Sequence, residues 1–224
     1  VNKLAYGPPI PFTNMRLFSR LPPKRGDVMV FEYPEPNPAA DHPDYIKRVI
    51  AVAGDRLEVE HGRPRINGWL VPNCPVGKYA FEDNPEGMGQ LFVEYLGEYS
   101  YLTVYAEGRD DGRQGPYDVA PGETWVMGDN RNNSSDSRAW NMGRGGGVPD
   151  ANIKGRAMFV WFNISKKSGW PDLDRLFTHV LGAPKLPSGA PADIVAGIDK
   201  CLKERPASDR LLPPGPDPNR KPLR

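Results

Sequence analysis

Apolar positions along the chain come in short bursts separated by turn residues. Residues 28–31, 45–53, 56–60, 68–71, 91–95, 100–105, 123–127 and 157–164 are apolar-rich, and Gly, Pro, Asn or Asp bounds several of them. This is the pattern of antiparallel β-sheet. The 26 prolines and 24 glycines reinforce it, because a chain punctuated so often cannot sustain long helices. The expected fold class is therefore mainly β. A β-rich excursion over residues 61–117 carries turn signals at Asn67-Gly68, Asp83-Asn84-Pro85 and Asp110-Asp111-Gly112. Helical spacing appears only near the end. Residues 171–181 place Leu173, Leu176, Phe177, Val180 and Leu181 on one face before Gly182, and residues 191–204 do so with Ile194, Val195, Ile198, Cys201 and Leu202. Residues 210–224 are proline-rich and charged, and disorder is expected there.

Two stretches break this pattern. Residues 128–138, Gly-Asp-Asn-Arg-Asn-Asn-Ser-Ser-Asp-Ser-Arg, carry no aliphatic or aromatic side chain, yet they follow the apolar strand ending at Met127. Such a run is either a solvated turn or a cross-braced polar network. Arg131 and Arg138 among Asp129 and Asp136 allow the second reading. The other anomaly is Lys47-Arg48 inside residues 44–55, a β-branched and aromatic run that reads as a strand buried on both faces. Two adjacent cations there are costly unless paired or discharged. Arg48 cannot lose its proton and needs a carboxylate, whereas desolvation pulls a lysine pKa down toward neutrality. Lys47 is thus a candidate general base, against the ordinary alternative of a lysine snorkelling from a sheet edge.

Composition narrows the function classes. A formal charge of +1 gives no field to hold nucleic acid, and no basic stripe with interleaved aromatics is present. No apolar run is long enough to span a bilayer. Cys74 and Cys201 lack metal or redox spacing, and a single bridge between them is left open. The polar loop does not fit a calcium-binding EF-hand, since counting from Asp129 puts Arg131 third and Ser134 sixth. No metal or cofactor is expected.

Taken in order, residues 24–31 with Tyr33-Pro34, residues 44–48 through Gly54-Asp55, Ile66-Asn67-Gly68, residues 127–131 and 133–138 resemble the bacterial type I signal peptidases. These are membrane-bound serine proteases that use lysine as base. Residues 1–7 and Gly155-Arg156-Ala157 add to the resemblance, which covers roughly residues 1–180. Several short motifs in order are far more specific than any one alone. The resemblance implies a fold of two antiparallel β-sheet subdomains with short C-terminal helices. Its catalytic core would comprise residues 1–60 and 118–170, its second β-rich subdomain residues 61–117, and its helical segment residues 171–209.

The resemblance also assigns roles. Lys47 would be the general base and Ser134 the hydroxyl that orients it. Arg48, Asp129, Arg131, Asp136 and Arg138 would brace the loop, with Asp129 pairing Arg48 and Asp136 pairing Arg138. Substrate would bind at Val30, Asp44, Tyr45 and Ile46, Asp44 by strand physics, since an extended peptide can add to the edge near residues 44–46. Val30, Tyr45 and Ile46 would form shallow apolar pockets matching a small-x-small cleavage signal, although the same residues read equally well as core. The family's nucleophilic serine lies in a Ser-Met-type motif before the segment that residues 1–7 resemble, and no Ser-Met dipeptide occurs in this sequence. The expectation is thus a chain truncated before its nucleophile and inactive as it stands. Its parent would be anchored in the inner membrane by an upstream helix, facing the periplasm or exterior, and would act on signal-peptide-bearing pre-proteins. The alternative is an inactive peptide-binding or scaffold module that keeps the fold.

Overall fold

The computed structural model describes residues 2, 22–35, 37, 41–81, 84–160, 178–186 and 189–217. Most of the expected helix at 171–181 and nearly all of the segment 1–7 lie outside them. The described chain is mainly antiparallel β, as its residue pattern implies. A five-stranded sheet has the order β11 (Val148–Pro149), β10 (Glu123–Met127), β2 (Asp44–Val52), β1 (Val28–Glu32), β12 (Ile153–Arg156). A four-stranded sheet runs β5 (Trp69–Leu70), β4 (Arg63–Ile66), β3 (Arg56–Glu60), β9 (Arg113–Asp118). A three-stranded sheet runs β6 (Asn73–Phe81), β7 (Asn84–Leu96), β8 (Tyr99–Ala106). The short pair β13 (Phe159–Val160) and β14 (Thr178–His179) completes the strands among the described residues. Thr178 and His179, expected at the end of a helix, are extended instead, because their backbone pairs with Val160 and Phe159.

Strand β2 carries the site and changes character along its length. Arg48 to Ala51 are buried on both faces, but Asp44 to Lys47 are exposed or half-buried, so the expectation of burial throughout holds only for the second half. Along β1 the pairing covers Arg48 back to Asp44, whereas β10 reaches only from Val52 to Arg48. The β10-facing backbone of residues 44–47 therefore has no strand partner among the described residues. A register shift sets Trp125 opposite Ala51 but Val126 opposite Val49, leaving Ile50 as an extra residue. This bulge lets both Ile50 and Ala51 reach one core while Val49 serves the other.

Three cores follow from the alternation. One joins Ile50, Ala51, Leu57, Val59, Ile66, Leu96, Tyr101, Trp125 and Met127, and so draws on all three larger sheets. A second packs Met29, Phe31, Val49, Val126 and Trp140 on the opposite face of the five-stranded sheet. In the third, Leu91, Val93 and Tyr95 of β7 meet Ile194, Ile198 and Cys201 of helix α1 (Ala192–Lys203). The spacing of those helix residues is the predicted apolar face. A Cβ on Gly197 would come within 2.9 Å of the Val76 carbonyl oxygen, so glycine is what allows this close approach. The question left open by the two cysteines is answered by a Cys74–Cys201 disulfide that ties α1 to β6. The expected disorder after residue 210 fails for residues 211–217. Leu211 is fully buried in the third core and its carbonyl accepts from Gly97 N at 2.7 Å, while the Pro214 carbonyl accepts from Asn67 at 2.8 Å. Residues 218–224 lie outside the described residues.

Candidate active site

A cavity of about 810 Å³ opens where β2 leaves its partner β10. Lys47, Ile46, Gly128, Asp129 and Ser134 line it on one side, Ser100 to Leu102 of β8 on another. The third wall is residues 178–180 and 182–186, a contribution no sequence motif announces.

Lys47 is half-buried, and its ammonium lies 5.5 Å from the Tyr45 ring centroid. Burial pulls its pKa below the ordinary lysine value; Asp136 and Asp129 oppose that shift and Arg138 adds to it. Next to it, Arg48 is buried and paired. Its Nε and Nη2 donate to the two Asp129 oxygens at 2.9 and 2.8 Å, its Nη1 to the Gly26 carbonyl at 2.9 Å. Burial works against the Arg48 charge, but Asp129 more than compensates and the pKa rises. The two adjacent cations thus meet opposite fates, one neutralised by a carboxylate and one left to desolvation.

The polar run 128–138 is a network rather than a solvated turn. Asp136 is fully buried, holds Arg138 through both oxygens at 2.8 Å, and accepts from Gly128 N at 2.9 Å. Ser137 accepts from Val126 N at 3.0 Å, and Arg138 also donates to the Arg131 carbonyl. A bidentate guanidinium–carboxylate pair fixes loop geometry in a way a lysine cannot. The Ser134 hydroxyl oxygen is buried and has no hydrogen-bond partner among the described residues, so the expected bond to Lys47 is not formed here. A Cβ at Gly128 would land on that hydroxyl, which makes glycine obligatory beneath it.

Among the expected substrate residues, Ile46 lines the cavity and is 56% exposed. Val30 pairs opposite Ile46 on β1 and is half-buried, outside the lining. Tyr45 faces the second core, 6.1 Å from the Phe31 ring and 5.4 Å from Tyr33. Asp44 is bound at 2.5 Å by the Lys154 ammonium instead of facing the cavity. Sequence reasoning missed Glu94, a fully buried acid that receives Arg131, and Tyr101, whose ring lies under the Arg48 guanidinium at 3.8 Å. The signal for Glu94 was present, since one carboxylate inside the apolar run 91–96 poses the same question as Lys47 in β2.

A family model described as signal peptidase, peptidase S26, matches residues 1–162. The chain is 38% identical over 182 residues to a Signal peptidase I of Pseudomonas aeruginosa, covering 77% of this chain and 58% of that protein. It is 36% identical over 184 residues to that of Pseudomonas fluorescens, with the same two coverages. With that of Rickettsia typhi it shares 34% over 174 residues, 74% of this chain and 61% of that protein. The chain therefore spans about three-fifths of the length of these relatives. A solved signal peptidase I from Enterococcus faecalis V583 aligns with 60% of this chain and 96% of its own at 23% identity, but its TM-score of 0.32 supports no argument. Residues 178–186, the third wall of the cavity, lie beyond the matched range.

Proposed function

The chain belongs to the signal peptidase family, peptidase S26, and on that premise we propose that it forms the catalytic region of a serine–lysine endopeptidase that removes N-terminal signal peptides from exported pre-proteins. In the family the attacking hydroxyl comes from a serine N-terminal to the segment that residues 1–7 resemble. Neutral Lys47 would take its proton, an acyl-enzyme would form, and water would release it. The observation that supports this most is the lysine itself. It is half-buried, its pKa is lowered by desolvation, and it shares a cavity with Gly128, Asp129 and Ser134.

Substrate binding follows from the β2 edge over residues 44–47, which has no strand partner among the described residues. An extended peptide adding beside residues 44–47 would satisfy their main-chain groups and place alternate side chains against Ile46. The buried Ser134 hydroxyl, without a partner among the described residues, is available to orient the Lys47 amine once substrate excludes water, as catalytic hydrogen bonds often tighten only in the complex. Arg48–Asp129 and Asp136–Arg138 act as braces. No helix among the described residues is long and apolar enough to cross a membrane. The proposed site of action is the exterior face of the plasma membrane, with attachment through the parent polypeptide.

The test is cleavage of a synthetic signal peptide by the full parent polypeptide and its Lys47→Arg variant. Guanidinium is no base near neutral pH, so turnover should fall by at least about 10²–10³-fold with peptide binding retained. Turnover within threefold of wild type would overturn the lysine-base mechanism. Tight binding by the parent with no turnover at any pH would instead assign the peptide-binding alternative.

A further inference from the structure

We infer that Glu94 is a positioning residue for the reaction centre, holding the 128–138 loop against Lys47 from the neighbouring three-stranded sheet. The inference rests on the proposed role of Lys47. It goes beyond it by giving the β7–β8 hairpin, in the excursion between the two matched motifs, a part in the chemistry.

Strand alternation sends Leu91, Val93 and Tyr95 toward helix α1 and turns Glu94 the other way, toward the loop. Tyr101 is its direct cross-strand partner on β8 and donates its hydroxyl to Glu94 at 2.5 Å. Arg131 donates to the same carboxylate oxygen, and both side chains of this ion pair are fully buried. The second Arg131 nitrogen is spent on the Gly62 carbonyl at 3.0 Å. From this anchor the loop backbone is laid alongside β8. Arg131 N donates to the Val104 carbonyl and Val104 N to the Asp129 carbonyl, both at 2.9 Å. Asn132 then clasps Ala106 through both its backbone groups, at 2.7 and 3.1 Å, and the Arg109 carbonyl at 2.6 Å.

A second route leaves Glu94 through Tyr101. The ring of that tyrosine supports the Arg48 guanidinium, and Arg48 in turn grips Asp129. One buried carboxylate therefore fixes the loop from two directions, at Arg131 and at Asp129. Gly128, Asp129 and Ser134 of that loop share the cavity with Lys47. A hydrophobic pair would fill the same space as well or better for stability, so what the ion pair adds is a single register for the loop. Asp136, Asp129 and Arg138 from the loop bear on Lys47; Arg48 and Tyr45 neighbour it on β2, and His179 and Lys185 line the same cavity. Loosening the loop readmits water to the amine and moves its titration toward the ordinary lysine range.

The experiment compares Glu94→Gln and Tyr101→Phe with wild type in the full parent polypeptide, recording kcat, KM, the pH profile of kcat/KM, and Tm. Glu94→Gln should lower kcat roughly tenfold or more with KM within about twofold, and should move the acid limb of the profile up by about half a pH unit. Tyr101→Phe should move both in the same direction by less. Should Glu94→Gln not fold, the double variant Glu94→Leu/Arg131→Met keeps the core filled and should show the same low kcat and raised acid limb. An acid limb unmoved in the variant that folds, or wild-type turnover by the double variant, overturns the positioning role. Lys47→Arg run in parallel separates the premises: if it stays active the lysine mechanism fails, and if it is dead while Glu94→Gln keeps the wild-type profile only this inference fails.

Discussion

The ammonium of Lys47 is half-buried in the wall of the cavity, and that placement bears on stability as well as on the proposed chemistry. Because the folded pKa is lowered, the unfolded chain binds more protons between that value and the ordinary lysine pKa, and stability rises with pH across that window. At neutral pH the native state therefore carries a cost that an apolar side chain removes. Lys47→Met should raise Tm while abolishing turnover. A lower Tm would mean that the amine is stabilised, not penalised, by its surroundings. Turnover should for the same reason fall as pH drops through the Lys47 titration. Ser134→Ala should cut kcat by roughly tenfold with Tm nearly unchanged, and an unaltered rate would make Ser134 a turn residue. Lys47, Arg48 and Asp129 were legible because a cation inside an apolar strand has few physical outcomes. Glu94 poses the same puzzle, but its segment lies outside the motifs that carry the resemblance, so nothing in the sequence leads from it to Arg131.

At the scale of elements, the strands read correctly are apolar segments free of breakers, alternating in β3 and continuous in β1 and β10. Two of the overlooked ones contain breakers. β6 carries Pro75 and Gly77, and β9 carries Gly115 and Pro116. Both are edge strands, where a missing N–H on the outer side breaks no ladder, so the residues that argued against a strand mark its place in the sheet. Helix α1 was legible from its periodicity, whereas its docking partner was not, because the face of β6 it meets is set by sheet pairing rather than by local sequence. The disulfide between Cys74 and Cys201 closes a separation of 127 residues. Cys74→Ser with Cys201→Ser should lower unfolding free energy by about 2–4 kcal/mol, read from a denaturant midpoint. Should the midpoint not move, the docking of Ile194 and Ile198 would be holding α1 without the bridge.

The whole molecule is joined by the core that Ile50 occupies. That cluster takes side chains from β2 and β10, from β3 and β4, and from β7 and β8, so none of the three larger sheets closes its apolar face without the others. The buried polar chain from Arg48 through Tyr101 and Glu94 to Arg131 crosses the same boundary. Two kinds of interaction thus bind the loop-bearing sheet to the hairpin that positions the loop, and unfolding should be one transition. Ile50→Ala should cost about 2–5 kcal/mol, and tryptophan fluorescence, far-UV circular dichroism and peptide turnover should lose their signals at one shared, lowered midpoint. Trp125 and Trp140 report opposite faces of the five-stranded sheet, so separation of the fluorescence transition from the circular dichroism would show the sheets melting independently. In that case the hairpin cannot govern the loop through shared packing, and any effect of Glu94 on Lys47 must pass through its polar contacts with Arg131 and Tyr101.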